Sequence, residues 1–445
     1  MTIKQISIII MTFMLIAHLA GCDNSSQPEP TKPPVQSESE PLPTPTNEPL
    51  PTETPEPTAT NEPVPTETPT NEPLPTETPE PSPTPVQISD EQAQAEIAAL
   101  LMAEIPVSPT SESNEEYIIG IEGAIVTPLK TAEGQPPLWA VNTYGMINFD
   151  LEQEHTIGIY SHDGETWQTL TQTVLENQLT MLGEETMTQL KVPSDDIWLA
   201  IDSFTGAHSG CFDVLRFDGQ TLHTEYATCS GSPGAGAVTD LNEDSLPEII
   251  LNFNEYYVFC YACGVVYSQY EVLRWHEDTY QSVRFEQLDD LADPNIRDLN
   301  NQAITYAEAD LWQDAQATIQ EAMALDEKND TEKNETVIWN DALIQLYVDD
   351  YRNYEEYTGY PVLTYAFAGK HDEALEQLRH YSPEEIFDIE GPLIVETPAD
   401  GWQESLSEWL VTTTTPAIEA KPDLAPAYFL RAWGNYLVDP PIRPS

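Results

Sequence analysis

The residues best suited to chemistry form one short run, Asp240-Leu241-Asn242-Glu243-Asp244-Ser245-Leu246-Pro247-Glu248. Carboxylate and amide oxygens alternate along it, so a tight loop would turn them toward one point. A hard cation such as Ca2+ takes six to eight oxygens, and this spacing can offer them. Without a cation the same residues make an acidic turn whose N–H groups are bonded by Asx side chains. Cysteine is the second resource. Cys260-Tyr261-Ala262-Cys263 has C-x-x-C spacing, but a redox pair needs one thiol acidified, as at a helix N-terminus. Here the motif lies in a strand-like run with Tyr256, Tyr257 and Phe259. Zinc would want a second C-x-x-C or a paired-histidine motif, which Cys211 and Cys229 do not supply. His155, His162, His208, His223 and His276 show no metal-ligand spacing, and Gly231-Ser232-Pro233-Gly234-Ala235-Gly236 reads as a loop between strands.

The acidic run leads into Ile249-Ile250 and resembles the FG-GAP/VCBS calcium loop, D-x-[DN]-x-D-G-x-x-[DE] followed by a strand. The resemblance implies that Asp240, Asn242, Asp244 and Glu248 donate side-chain oxygens and Leu246 its carbonyl. It implies a structural Ca2+, because carboxylates held by a metal are not free for acid–base work. One position departs: Ser245 stands where the pattern has Gly, the residue that eases a sharp turn.

Cys22 ends the run Leu19-Ala20-Gly21-Cys22, after a positive Lys4 and an apolar stretch from Ile6 to Ala20. That stretch is short for a membrane span and has the form of a cleaved signal peptide. The tetrapeptide resembles the bacterial lipobox. The resemblance implies cleavage before Cys22, a diacylglyceryl group on its thiol and a further acyl chain on its amine. Two or three buried chains hold a membrane where one is marginal. In a cell with two membranes, Asp23 would favour the inner one.

From Cys22 to Val86 the chain is almost all Pro, Thr, Glu, Ser and Asn, and the unit Thr46–Pro55 recurs from Thr60 and from Thr70. Proline at this density removes backbone donors and fixes φ. An extended polyproline-II stalk follows, with a reach of about 150–200 Å at about 3.1 Å per residue. The whole chain carries 76 acidic against 16 basic residues, a net charge of −60. That excludes nucleic acid as a partner, since binding it needs a basic footprint. It also opposes adsorption to anionic lipid, so membrane residence rests on the lipid anchor.

Beyond the stalk, residues 87–116 read as a short helix (Asp90 to Glu104) and a linker. Residues 117–290 read as β. Apolar strands open at Leu138, Ile197 and Ile249. Each is followed by an alternating hairpin, turning at Asp163-Gly164, at Asp218-Gly219 and at His276-Glu277-Asp278. A repeat of about 55–60 residues suggests propeller-type blades, too few to close a ring. Four cysteines in an exported chain suggest two disulfides, with three connectivities open. The hairpin at Asp218-Gly219 favours Cys211 with Cys229, which leaves Cys260 with Cys263.

Residues 291–445 switch to a helical period. Leu299, Ala303, Tyr306, Ala315, Ile319 and Ala322 resemble the small and large positions of a tetratricopeptide (TPR) repeat. Tyr365–Leu378, with Gly369 at the turn, is a second match, and Pro426–Trp433 starts a third that lacks a following partner helix. Ala315 and Ala374 stand further apart than the regular period of about 34 residues. An extra helix from Glu335 to Asp350 fills that gap, and Ile386–Thr415 reads as irregular. Such helix pairs stack into a surface for extended peptides.

The fold class expected is thus β then α: a blade-like β-repeat domain, then TPR-like hairpins, behind a Pro/Thr/Glu stalk. The function expected is non-enzymatic: a lipid-anchored surface scaffold that binds a protein or peptide. A surface carbohydrate-binding protein or hydrolase using the β domain is the alternative.

Overall fold

A computed structural model describes residues 88–104, 121–132, 134–145, 156–175, 187–204, 207–289, 293–329 and 334–439. The expected signal peptide, Cys22, the stalk and the 105–120 linker lie outside these residues.

Among the described residues, helix α1 (Asp90–Glu104) precedes twelve strands in three antiparallel sheets, each a simple meander. The first holds β1 (Ile121–Leu129), β2 (Leu138–Gly145), β3 (Thr156–His162) and β4 (Trp167–Val174). The second holds β5 (Met187–Gln189), β6 (Ile197–Phe204), β7 (Gly210–Phe217) and β8 (Leu222–Ser230). The third holds β9 (Gly236–Thr239), β10 (Glu248–Asn252), β11 (Tyr270–His276) and β12 (Thr279–Val283).

The continuous apolar runs of β2, β6 and β10 are explained by burial on both faces. Successive side chains of a strand point to opposite sides, and each strand divides its residues accordingly. Leu138 and Ala140 of β2 meet Leu199 and Ile201 of β6 between the first two sheets, while Trp139 and Val141 pack on Ala93 and Ile97 of α1. Trp198 and Ala200 of β6 turn the other way and meet Ile249 and Leu251 of β10. Ile250, on the far face of β10, meets Trp339 and Leu343 of a later helix. The sheets therefore stack in a row, with a helix covering each end face. Between the second and third sheets, Trp198, Trp275 and Tyr280 contact one another edge to face, with ring centroids 5.2–5.4 Å apart. Such pairs add to simple burial.

The hairpin turns are made as their residues dictate. Asp163 Oδ1 accepts from the N–H groups of Glu165 and Thr166, and Asp218 Oδ1 accepts from those of Gln220 and Thr221. Gly164 and Gly219 take the positive φ that each turn requires. These bonds favour the carboxylate form and hold Asp163 down at about 2 and Asp218 lower still. The third hairpin has no Gly; Glu277 and Asp278 both adopt positive φ there.

The helical region begins with α2 (Pro294–Ala307), capped by Asp293 Oδ1 accepting from Asn295 N–H at 2.8 Å. It continues as α3 (Trp312–Asn329), α4 (Glu335–Glu355), α5 (Pro361–Phe367), α6 (His371–Leu378), α7 (Pro383–Ile386), α8 (Gln403–Ala420) and α9 (Ala425–Val438). Ala303, Ala315, Ile319 and Ala322 are all buried where α2 crosses α3. Gly369, with φ 72°, turns the chain between α5 and α6. A Cβ on it would lie 2.5 Å from the carbonyl of Asp310 in the α2–α3 turn.

Two sequence expectations are revised. The stretch read as irregular contains most of α8, despite its four threonines and Pro416. Thr413, Thr414 and Thr415 donate their hydroxyls to the carbonyls of Trp409, Leu410 and Val411 one turn back. The carbonyl that Pro416 leaves without an N–H partner belongs to Thr412, an exposed residue that water can reach. Consequently α9 does have a partner helix, the preceding α8. Second, the strand-like run that holds Tyr256, Tyr257, Phe259 and Tyr261 is no strand; it belongs to the segment between β10 and β11. It crosses from the third sheet and inserts Val258, Phe259 and Val265 into the helical core.

Candidate functional site

The acidic run forms the β9–β10 connection, and β10 starts at Glu248. Its apolar residues fasten it: Leu246 packs against the core between the second and third sheets, and Leu241 against the cluster that faces α4. Glu243 and Ser245 take φ of 62° and 74°. These two left-handed residues coil the loop tightly. Its side-chain oxygens then accept from its own backbone. Asp240 Oδ2 takes Ser245 N–H at 2.9 Å, Asn242 Oδ1 takes Asp244 N–H at 3.1 Å, and Asp244 Oδ1 takes Leu246 N–H at 2.8 Å. Arg274 on β11 reaches Asp244 Oδ2 at 3.4 Å while its guanidinium lies over the Trp339 ring.

Glu248 departs from this self-contained pattern. It is fully buried. Its Oε2 accepts from Leu241 N–H at 2.8 Å, but Oε1 has no hydrogen-bond partner. An isolated buried carboxylate is costly and is normally paired or metal-bound. Burial, with Asp244 and Asp240 adding repulsion, pushes its pKa up to about 7. The orphaned oxygen and the left-handed turn at Ser245 both fit a cation loop. Among the described residues, however, no group of three His, Cys, Asp or Glu is already drawn together as a metal cluster. A cation would have to pull the carboxylates inward.

Both disulfides join the cysteines favoured by the sequence. Cys211 and Cys229 face each other across β7 and β8, and Cys260 is bonded to Cys263. The second bridge spans a single 3-10 turn, Tyr261–Cys263. Cys263 carbonyl accepts from Gly359 N–H at 2.8 Å, which ties this turn to the α4–α5 connection.

Two features escape sequence reasoning. One is a polar seam between β and α. Asp350 of α4 receives bonds from Ser268 Oγ at 2.5 Å and Asn254 Nδ2 at 3.3 Å, and Asn254 also bonds the hydroxyls of Tyr270 and Tyr354. Nearby, Tyr267 donates its hydroxyl to Asp310 Oδ2 at 3.0 Å. Loss of surrounding water pushes Asp310 up to about 6 and raises Asp350 as well. Apart from Asn254 and Tyr270, 16 residues apart, the partners are 43–100 residues apart, so no local pattern announces them. The other is a half-exposed cluster of tyrosines beside the 260–263 bridge. In the sequence, aromatics of the β region at alternating positions read as core, with a sugar site as the other reading; here the polar neighbours Asn252, Asn254 and Glu255 break that alternation.

No protein-family model matches the chain, and no curated protein matches it.

Proposed function

We propose that this chain is a lipid-anchored, extracytoplasmic scaffold that binds a protein partner and has no catalytic role. Cleavage after residue 21 would leave Cys22 acylated in the membrane, and the 22–86 stalk would hold the folded part away from it. The β region, 117–290, is read as a short stack of propeller-like blades, and 291–445 as a degenerate TPR-like array. Helices at both ends of the stack favour this reading, since they do for an open row of sheets what closure does for a full ring.

The observation that carries the binding role is the succession of helical hairpins: α2 with α3, α5 with α6, and α8 with α9. On this array Tyr428 of α9 is 42 % exposed, although the core beneath is closed. Exposed aromatic side chains of this kind anchor protein interfaces. Ca2+ has a structural part in this reading, held by Asp240, Asn242, Asp244, the Leu246 carbonyl and Glu248. It would cancel the charge that the loop otherwise confines.

The test is affinity capture with the full chain from envelope extract, in Ca2+ and in chelator, followed by rebinding of the captured species in purified form. One protein that rebinds saturably supports the scaffold. Its loss in Tyr428→Ala would locate the contact on the helices. Recovery of glycans alone, or turnover of a glycan, would replace this reading with the carbohydrate-binding or hydrolase alternative.

A further inference from the structure

The tyrosine cluster lies where the β8–β9 turn, the loop before β7 and the segment after β10 meet. The Tyr261 ring is 5.7 Å from Tyr257 and 6.1 Å from Tyr256, both tilted, and His208 stands edge-on to it at 4.2 Å. Tyr257 is 49 % exposed, and His208 is exposed beside it. Polar atoms rim the rings. The Tyr257 hydroxyl lies 3.3 Å from His208 Nδ1, and the Tyr261 hydroxyl lies 3.1 Å from Ser232 Oγ. Glu255 Oε1 accepts from Tyr257 N–H at 2.7 Å.

This corner is held in place from several directions. Cys260–Cys263 brackets Tyr261, and Cys211–Cys229 joins β7 to β8 just before the Gly231-Ser232 turn. A Cβ on Gly231 would come within 3.0 Å of the Tyr257 ring, and one on Gly210 within 2.5 Å of the Ser232 carbonyl. The turn and the rings are therefore fitted to each other. A surface ordered beforehand loses little entropy when a ligand settles on it.

The lining selects a ligand class. Aromatic faces offer flat apolar area, and their polar tips accept or donate hydrogen bonds. A pyranose ring matches both, with a face of C–H groups and hydroxyls around its edge. The side chains in this cluster include no Leu, Ile or Val, which an acyl chain or aliphatic peptide would use. Glu255 makes no ion pair with Lys or Arg among the described residues, and the chain carries −60, so a polyanion would be repelled. We propose that this corner is a binding site for a neutral glycan. One sugar ring lies on Tyr257 and Tyr261, and its hydroxyls are bonded by His208, Ser232 and Glu255. This site is built from residues of the β region, whereas Tyr428 lies on α9, and either assignment can fail alone.

The test titrates the full chain, in a sugar-free detergent, with cellohexaose, mannohexaose and chitohexaose. Calorimetry reads affinity, and saturation-transfer NMR reads which sugar protons touch aromatic rings. Saturable binding of at least one of the three is expected, with saturation strongest on ring C–H protons. Tyr257→Ala should weaken it about tenfold, as the loss of one stacking partner implies. Tyr257→Trp should retain it, and the melting temperature should hold in both variants. Binding of none of the three, binding undiminished in Tyr257→Ala, or tighter binding of an alginate hexamer overturns the proposal.

Discussion

Glu248 concentrates the electrostatic strain of the β9–β10 loop. Its folded pKa, about 7, stands above the value of about 4.3 for a free Glu. A raised carboxylate favours the folded state while protonated, so its contribution is present below pH 4 and is lost as pH rises to about 7. Metal-free protein should lose on the order of 2 kcal/mol from this source between pH 4.5 and pH 8. Glu248→Gln should remove that part of the slope in denaturant melts recorded in chelator. In the proposed reading, a Ca2+ ion held here would displace the same proton. Its affinity should therefore rise with pH, by up to about tenfold per unit below pH 7, and level off above. Calorimetry in two buffers of different ionisation enthalpy would detect the released proton; an affinity flat from pH 6 to 8 would refute the assignment. Ser245 gives a second handle. At φ 74° it holds a conformation that disfavours any Cβ. Ser245→Gly should raise stability by about 0.5–1 kcal/mol and tighten Ca2+ binding, and an unchanged melting temperature would count against strain there.

At the scale of elements, the β region was largely legible. Apolar openings marked β2, β6 and β10, Asp-Gly turns marked the first two hairpins and a polar turn the third, because period-two alternation and turn chemistry are local properties. The strands β1, β5 and β9 were harder to see. They are edges, and their own sequences carry weak patterns. Gln94 of α1 pairs with β1 as a peptide group would, its Nε2 donating to Ala124 carbonyl at 2.7 Å and its Oε1 accepting from Val126 N–H at 3.0 Å. Gln189 does the same for Lys130 between sheets, at 3.0 and 2.8 Å. Helix α8 stayed hidden because a Thr run and a Pro argue against helix locally, and only back-bonding and packing on α9 override them. Gln94→Leu should leave the β1 edge groups to water and cost about 1 kcal/mol. Hydrogen exchange at the Val126 amide should accelerate accordingly. An unchanged exchange rate there would mean that α1 covers the sheet without securing its edge.

Across the whole molecule, the β and α regions share one interior, and this was least legible of all. The phenyl ring of Phe259 belongs by sequence to the β region and by packing to the helices, edge to face with Tyr360 at 5.6 Å. Heating should therefore unfold both regions in a single transition. The Asp310–Tyr267 pair tests how the junction responds to pH. Asp310 is raised to about 6, so its contribution to folding is present below pH 4 and is lost as pH climbs through 6. His371 acts in the opposite sense. Burial lowers it to about 4, so the stability it contributes is present above about pH 6.5 and is lost as pH falls toward 4. The wild-type profile mixes these terms, and a variant separates them. Asp310→Asn keeps a residue tolerant of the left-handed φ of 55° found there and still accepts the tyrosine hydroxyl, but it no longer titrates. Relative to wild type it should gain about 1–2 kcal/mol at pH 7.5 over its value at pH 4.5. Because that carboxylate joins the segment between β10 and β11 to the α2–α3 turn, the gain should appear in the one shared transition. A gain confined to a separate helical transition would show that the two regions unfold independently.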